Sequence, residues 1–184
     1  MRKDIKKLTD EEIVEKIIKE DKQLFAEIIE RYEKKILRYI YYLTGDSQEN
    51  QDIAQNIFIK AYINLKSFNK SFKFSSWLFR IAHNEAVNFL KKKKYNLSFD
   101  EKILKIEDEK KIDEEVFKKQ LKIMVKKCLE QLPILYKEVV DLFYFENLSY
   151  EEISDVLKIP PGTVAIRLSR AKSFLKKICQ DQKI

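Results

Sequence analysis

Apolar residues recur at three- and four-residue spacing along most of this chain, as they do on the buried face of an amphipathic helix. The longest run extends from Leu24 to Leu43 and ends at Gly45, in the manner of a glycine that follows a helix C-terminus. Only two glycines and three prolines are present, too few for the tight turns of an all-β fold. The pattern therefore predicts an all-α protein, with helices at residues 9–18, 24–43, 46–66, 76–92, 113–130, 133–145, 149–157 and 162–179.

Local signals mark where several of these helices begin. Thr9 and Glu12 have the spacing of a capping box, in which each side chain accepts a hydrogen bond from the other residue's backbone amide. Ser149 and Glu152 repeat the pattern, and the segment 46–49 has a similar one. We expect a helix to start at each of the three positions.

Helical periodicity is lost between Tyr95 and Lys111, where the charges are mixed. This break divides the predicted helices into two groups of four. We therefore predict two small helical domains, at residues 1–94 and 113–184, joined by a flexible linker at 95–112.

The net charge of +7 is unevenly distributed. Basic residues concentrate in Lys60–Lys94 and Lys158–Lys183, whereas Asp100–Glu115 is acidic. A basic surface attracts polyanions such as nucleic acid. Two basic blocks separated by an acidic one therefore indicate two contact surfaces.

The first basic block combines cations with aromatic residues, most densely in Phe72–Lys94. Cations attract phosphate and aromatic faces stack on unpaired bases, which favours single-stranded nucleic acid. A helix with an aromatic core and solvated lysines, or one that lies on an anionic membrane, would have the same composition. Trp77 is predicted to face inward, whereas Phe72 and Phe74 precede the helix in a loop and are the candidates for stacking. One polar face of the helix contains Arg80, Asn84, Asn88, Lys91 and Lys92.

The second basic block follows the pattern of a helix-turn-helix. The short helix that starts after Ser149 leads into a tight turn, Lys158–Gly162, and then into a helix with a basic outer face. In this motif the second helix enters the major groove of DNA, where arginine binds guanine edges. A generic helical hairpin with a solvated basic face is the alternative.

Three segments, in order and spacing, resemble those of the extracytoplasmic-function (ECF) sigma factors. The segment LSYEEISDVLKIPPGTVAIRLSRAKSFLKKI is similar to the family's C-terminal pattern LSYxEIAxxLgxpxGTVkSRLxRAxxxL. DIAQNIF, which begins at Asp52, resembles DxxQxxF of sigma region 2, and FSSWLFRIAHNEAVNFLKK resembles FxxWLxxIAxNxxxDxxR. The resemblance extends from about Glu11 to Ile178.

The resemblance implies a subunit that binds the core of bacterial RNA polymerase and directs promoter-specific initiation. The residues of this chain that dock on the β′ clamp helices would be Asp52, Gln55 and Phe58, although Phe58 could equally be a core residue. The minus-ten element, read as its non-template strand separates, would contact Lys66, Phe72, Phe74, Arg80, Asn84, Asn88, Lys91 and Lys92. The minus-thirty-five duplex would contact Thr163, Ile166, Arg167, Ser169, Arg170 and Lys172. The β flap of the core and a cognate anti-sigma factor are further implied partners.

The chain departs from the family pattern at several of these positions. Lys91 and Lys92 replace a usual arginine, which removes the forked contact with phosphate. Ala165 and Ile166 stand where basic residues or serine are frequent. An exposed isoleucine there could contact a thymine methyl group, so the minus-thirty-five sequence stays open.

No pattern indicates an active site, a cofactor or a metal. His83 is the only histidine, Cys128 and Cys179 form no CxxC pair, and no phosphate-binding glycine loop is present. The charged start and the absence of an apolar run of about 18 residues predict a cytoplasmic, soluble protein. The alternative function is a stand-alone helix-turn-helix regulator that binds operators without polymerase.

Overall fold

The computed structural model describes residues 5–96, 127–129 and 131–181, in which every regular element is helical. The predicted all-α fold is confirmed. Residues 97–112 of the predicted linker and most of the predicted helix at 113–130 lie outside the described residues. Tyr95 and Asn96, predicted to belong to the linker, instead end the helix that begins at Phe74. The helices are α1 (Asp10–Lys19), α2 (Phe25–Thr44), α3 (Asn50–Ile63), α4 (Phe74–Asn96), α5 (Ile134–Val140), α6 (Tyr150–Leu157) and α7 (Pro161–Asp181). Single turns of 3₁₀ helix lie at Lys22–Leu24 and Leu65–Ser67, and a π-helical turn, Asp141–Phe145, continues α5.

Two of the three predicted helix starts are confirmed by reciprocal hydrogen bonds. The Thr9 hydroxyl accepts from the Glu12 amide at 3.2 Å, and the Glu12 carboxylate accepts from the Thr9 amide at 2.7 Å. Ser149 and Glu152 form the same pair at the start of α6, again at 3.2 and 2.7 Å. Each box satisfies two amides that a helix N-terminus would otherwise leave unpaired.

The third predicted helix start, at 46–49, is wrong. The Ser47 hydroxyl bonds to the Glu49 carboxylate instead of capping a helix, and α3 begins at Asn50. The Asn50 side chain accepts from the Thr44 hydroxyl at 2.7 Å and donates to the Gly45 carbonyl at 2.8 Å. Gly45 has φ 76°, the left-handed region that glycine enters without strain, and it ends α2 as predicted.

The first group of helices encloses an apolar core between α2, α3 and α4. Its fully buried side chains include Ile28, Ile36, Ile40, Ile57, Leu78 and Phe79. Burying each contributes about 1.5–3 kcal/mol relative to leaving it exposed. Helix α1 is attached by polar contacts as well, because the Tyr32 hydroxyl and Arg31 both donate to Asp10, at 2.5 and 2.8 Å.

The second group forms the predicted helix-turn-helix from α6 and α7. Val164, Leu168 and Ala171 are buried on the inner side of α7, as their spacing predicts. Lys158 adopts a left-handed conformation with φ 54° and ends α6. The second helix begins at Pro161, one residue earlier than predicted, because proline fits the first turn of a helix.

The two groups of helices pack against each other, a feature that the sequence does not predict. Helix α4 lies against α6, and α2 lies against α5. Arg38 of α2 connects the second pair by donating to Asp141 at 3.0 Å and to Glu146. This packing decides which basic surfaces are open to solvent.

Candidate polymerase and nucleic-acid interfaces

An apolar groove of about 410 Å³ lies on the surface between α2 and α3. Ile29 and Leu37 line one side, and Ala54, Phe58 and Ile59 line the other. Ile59 is 55% exposed, and Ile63, on the same helix, is 70% exposed. Large apolar side chains that remain open to water mark a surface for another protein, because water around them is released on contact.

The three predicted docking residues lie in or beside this groove. Asp52 and Gln55 are exposed on α3, and Gln55 lines the groove. Phe58 is 7% exposed, so it is a core residue whose ring also forms part of the groove floor. Leu37 and Ile59 were not predicted, although a signal existed: apolar residues of α3 occupy more than one face of the helix.

The polar face predicted for α4 is present. Asn84, Asn88, Lys91 and Lys92 are exposed, whereas Arg80 is half-buried. A shallow groove of about 270 Å³ runs beside Arg80 and Asn84 and reaches Lys60 of α3. Lys60 bonds to Glu85, the single acid of this region, at 2.6 Å.

The two aromatic candidates of the preceding loop have opposite surroundings. Phe72 is 57% exposed and free to stack, and Lys66 is exposed nearby in the chain. Phe74 is 0% exposed, so its prediction as a stacking residue is wrong. It begins α4 and points inward, where its ring packs edge-on against Tyr32 and Phe68 with centroids 5.8 and 5.5 Å away.

A cleft of about 490 Å³ separates this loop from the start of α1. Phe72, Lys70 and Ser71 line one side, and Thr9 and Arg31 line the other. Asp10 and Glu11 also line the cleft, and Arg31 is paired with Asp10, so the exposed ring of Phe72 is the group here that suits stacking on an unpaired base. The sequence could not predict the cleft, because its walls are about sixty residues apart in the chain.

Helix α7 exposes most of its predicted contact residues. Ser169, Arg170 and Lys172 are exposed, Thr163 and Arg167 are half-buried, and Ile166 is 55% exposed. Ile166 is therefore a surface residue rather than part of the packing. Among the described residues, no acid forms a salt bridge with a basic residue of α7.

Acids of the helix-turn-helix contact the first group of helices. Arg80 donates to Asp155 at 2.9 Å, and the Lys73 ammonium lies 3.1 Å from the Glu152 carboxylate. Both acids belong to α6. Part of the predicted minus-ten surface is thus paired with the other domain.

Other kinds of site find no support in the part of the chain that the structure describes. Its residues contain no cluster of three potential metal ligands and no helix with the length and apolarity to span a membrane. The His83 ring is partly buried with Nδ1 2.6 Å from the Glu138 carboxylate, an arrangement that satisfies the histidine without a metal.

Two family models match this chain, one over each of its two groups of helices. Residues 28–95 match the family Sigma-70 region 2, and residues 122–175 match Sigma-70, region 4. The ECF RNA polymerase sigma factor SigW of Bacillus subtilis is 34% identical, over 91% of this chain and 95% of its own. The RNA polymerase sigma-H factor of Pseudomonas aeruginosa is 33% identical, over 93% of this chain and 94% of its own.

A solved structure has the same fold. CnrH, determined in complex with the cytosolic domain of CnrY, superposes with a TM-score of 0.67 at 19% identity and covers 94% of this chain and 97% of its own. The order of the two regions, the helix-turn-helix and the similarity along nine-tenths of the sequence agree. The chain belongs to the extracytoplasmic-function subfamily of sigma-70-type RNA polymerase sigma factors.

Proposed function

We propose that three surfaces of this sigma factor bind three different targets. The α2–α3 groove binds polymerase, the α4 face binds the minus-ten strand, and α7 binds the minus-thirty-five duplex. The observation that carries this assignment is the separation of chemistry between them. The groove is apolar, the α4 face is polar and is preceded by a loop with an exposed aromatic, and α7 is basic. The role places the protein in the cytoplasm with RNA polymerase, and it requires no active site in this chain.

Docking on the β′ clamp helices is assigned to the groove. A helix of the core enzyme laid between α2 and α3 would cover Leu37 and Ile59, with Asp52 and Gln55 at the rim. Burial of exposed apolar area supplies affinity, and the polar rim fixes the orientation. Phe58 supports the groove from beneath and contacts the partner through part of its ring.

Recognition of the minus-ten element is assigned to the loop before α4 and to the α4 face. The exposed ring of Phe72 stacks on a base that leaves the duplex and enters the cleft beside α1. Lys66, Lys91 and Lys92 contact phosphates along the strand, while Asn84 and Asn88 donate to base edges. Arg80 joins this surface once its bond to Asp155 is released.

Recognition of the minus-thirty-five element is assigned to the first three turns of α7. Arg167 and Arg170 reach guanine edges in the major groove, and Ile166 packs against a thymine methyl group. Thr163, Ser169 and Lys172 contact the sugar-phosphate backbone. The same domain would contact the β flap, which keeps it at the correct distance from the minus-ten surface.

We also propose an anti-sigma factor as a partner. CnrH was solved with the cytosolic domain of CnrY. The sigma factor RpoE of Bartonella quintana, which has the same fold, was solved with the anti-sigma factor NepR. An inhibitor of this kind would cover the apolar surfaces that polymerase otherwise occupies.

Run-off transcription with purified core polymerase on a promoter library tests the assignment. The wild-type chain is expected to select promoters with two conserved elements. Ile59→Lys places a charge in the groove and should weaken core binding by about 2 kcal/mol or more. Asn56→Lys adds the same charge to an exposed position of the same helix and should leave core binding intact. Promoter-selective DNA binding by the chain without any effect of core polymerase would favour the stand-alone regulator instead.

A further inference from the structure

A single acid lies within the basic stretch that forms the α4 surface. Between Lys60 and Lys94 the other charged residues are lysines and arginines, and Glu85 is the only acid. An acid on a surface that binds a polyanion repels phosphate, so it weakens binding unless it meets a hydrogen-bond donor. Glu85 therefore needs a donor if it is to contact a DNA strand without weakening its binding.

Glu85 lines the shallow groove between α3 and α4. Trp77 and Ile81 provide apolar surface in this groove, and Asn64 and Asn84 add side-chain amides. A nucleobase has apolar faces and polar edges. The mixture of apolar surface and polar side chains therefore suits an unpaired base.

Contacts within the first group of helices hold both sides of this groove in place. At the end of α3, the Asn64 side chain donates to the Lys60 carbonyl at 2.8 Å, and the Ser67 hydroxyl donates to the Asn64 carbonyl at 2.7 Å. On the α4 side, the ring of Trp77 packs against that of Phe68 with centroids 5.6 Å apart. A groove that is already formed costs less entropy when it binds a base.

Lys60 occupies one of the two carboxylate oxygens of Glu85. Its ammonium lies 2.6 Å from Oε1, whereas Oε2 forms no hydrogen bond with any residue in the described part of the chain. The Glu85 side chain is 16% exposed and that of Lys60 is 52% exposed, so the acid is the more deeply placed member of the pair. The pair offsets the charge of Glu85 and leaves one oxygen able to accept a hydrogen bond.

The remaining oxygen can distinguish bases by the groups at their edges. A carboxylate accepts hydrogen bonds and donates none. Adenine, cytosine and guanine each have an amino group that donates, and glutamate accepts from the cytosine amino group in this way. Thymine has no amino group, and its ring N–H lies between two carbonyl oxygens that repel a carboxylate. An acid in the groove therefore selects against thymine.

We propose that Glu85 is a specificity-determining residue: its Oε2 accepts from the amino group of an unpaired minus-ten base that lies in the α3–α4 groove. Lys60 is a positioning residue, because it holds Oε1 and offsets the charge that would repel the phosphates of the strand. This base is distinct from the one that stacks on Phe72. The inference rests on the assignment of the α4 face to the minus-ten strand, and it adds the chemical class of base that this face selects.

The test is run-off transcription with core polymerase on a promoter library in which every minus-ten position is varied. The wild type is expected to prefer an amino-bearing base over thymine at one position. The amide of Glu85→Gln donates as well as accepts, so this preference should fall about tenfold, while the preferences at other positions remain. Glu30→Gln removes an exposed acid of α2 that lines neither the α3–α4 groove nor the α2–α3 groove, and it should keep every preference of the wild type.

A charge exchange separates base recognition from a purely structural ion pair. Lys60→Glu combined with Glu85→Lys keeps the pair and the net charge, but it places a donor where the acceptor was. The preference should move to thymine, whose carbonyl oxygens accept, whereas a structural pair would leave it unchanged. Unchanged preferences in either variant, or a wild-type preference for thymine at the affected position, would overturn this inference alone. A wild type that selects no promoter would overturn the proposed function and this inference with it.

Discussion

The α4 side and helix α7 both contain cations, yet the structure leaves these cations in opposite states: paired on the α4 side and unpaired with any described acid on α7. On the α4 side, Arg80 and Lys73 are paired with acids of α6. On α7, Arg170 and Lys172 are exposed, and no described acid forms a salt bridge with them. Positive charge in a sequence is therefore distinct from positive charge available to DNA. A cation is available to DNA only where the fold places no acid opposite it.

The largest expected effect on this difference comes from Arg38→Ala. The substitution removes the cation that Asp141 and Glu146 share and leaves both carboxylates buried without it. Breaking a buried pair in this way costs about 3–5 kcal/mol, which the protein avoids by separating its domains. The distance between spin labels on α3 and α7 should increase, and both DNA surfaces should become equally accessible.

Lys34→Ala is the matched control for this experiment. Lys34 is an exposed cation on the same helix, so its loss changes the net charge by the same amount. The two groups of helices should remain packed together. Arg38 is only half-buried and belongs to the domain boundary, so α1–α4 should remain folded when it is replaced. An unchanged distance in a folded Arg38→Ala protein would mean that the contacts of Arg38 with Asp141 and Glu146 do not hold the domains together.

The state in which the two groups of helices pack together, here called the closed state, should also depend on pH through Asp141. Burial is the main cause that raises the pKa of Asp141 from 3.8 to about 7, while Arg38 opposes the rise and Glu146 adds to it. Because this pKa is raised in the closed state, the closed state binds the extra proton. Its stability is greatest below about pH 4 and falls as pH rises to about 7.

Measurement of the interdomain distance between pH 5 and pH 8 checks this prediction. The closed fraction should fall as the pH rises, by an effect on the order of a few kcal/mol. Asp141→Asn should remove most of the dependence. Glu138 and His83 form another contact between the two groups of helices, so His83→Gln serves as the control. If the dependence disappears with His83→Gln and persists in Asp141→Asn, the assignment to Asp141 is wrong.

Most features that depend on neighbours in sequence were predictable, the helix start at 46–49 being the exception, and features that depend on distant residues were not. The capping boxes at Thr9 and Ser149 involve residues three apart, and both are confirmed. The inward side of α7 was likewise visible in its spacing. The burial of Phe74 was missed because Tyr32, one of the rings that covers it, comes from the distant helix α2. The pair of Arg80 and Asp155 joins residues 75 apart in the chain, and no local pattern marks such a contact.

Arg170→Ala tests the other half of this comparison, helix α7, whose cations pair with no described acid. If Arg170 reads a base, the substitution should cost about 1–3 kcal/mol of selectivity at one position of the minus-thirty-five duplex. The loss should be the same in the free protein and in the polymerase complex, because α7 is uncovered in both. Binding to a library of duplexes, with and without core polymerase, measures it. A uniform loss on every sequence would make Arg170 a phosphate contact.

The smallest expected effect comes from Phe72→Ala in the loop before α4. The ring is exposed, so the free energy of unfolding should change by less than about 0.5 kcal/mol. Loss of one stacked base should nevertheless slow open-complex formation by a factor equivalent to about 1 kcal/mol. Stopped-flow fluorescence of a promoter labelled in the minus-ten strand follows this step. Phe174→Ala removes an exposed aromatic of α7 and should leave the rate of melting unchanged. Equal rates in both variants would assign strand capture to the cations of α4 rather than to the loop before it.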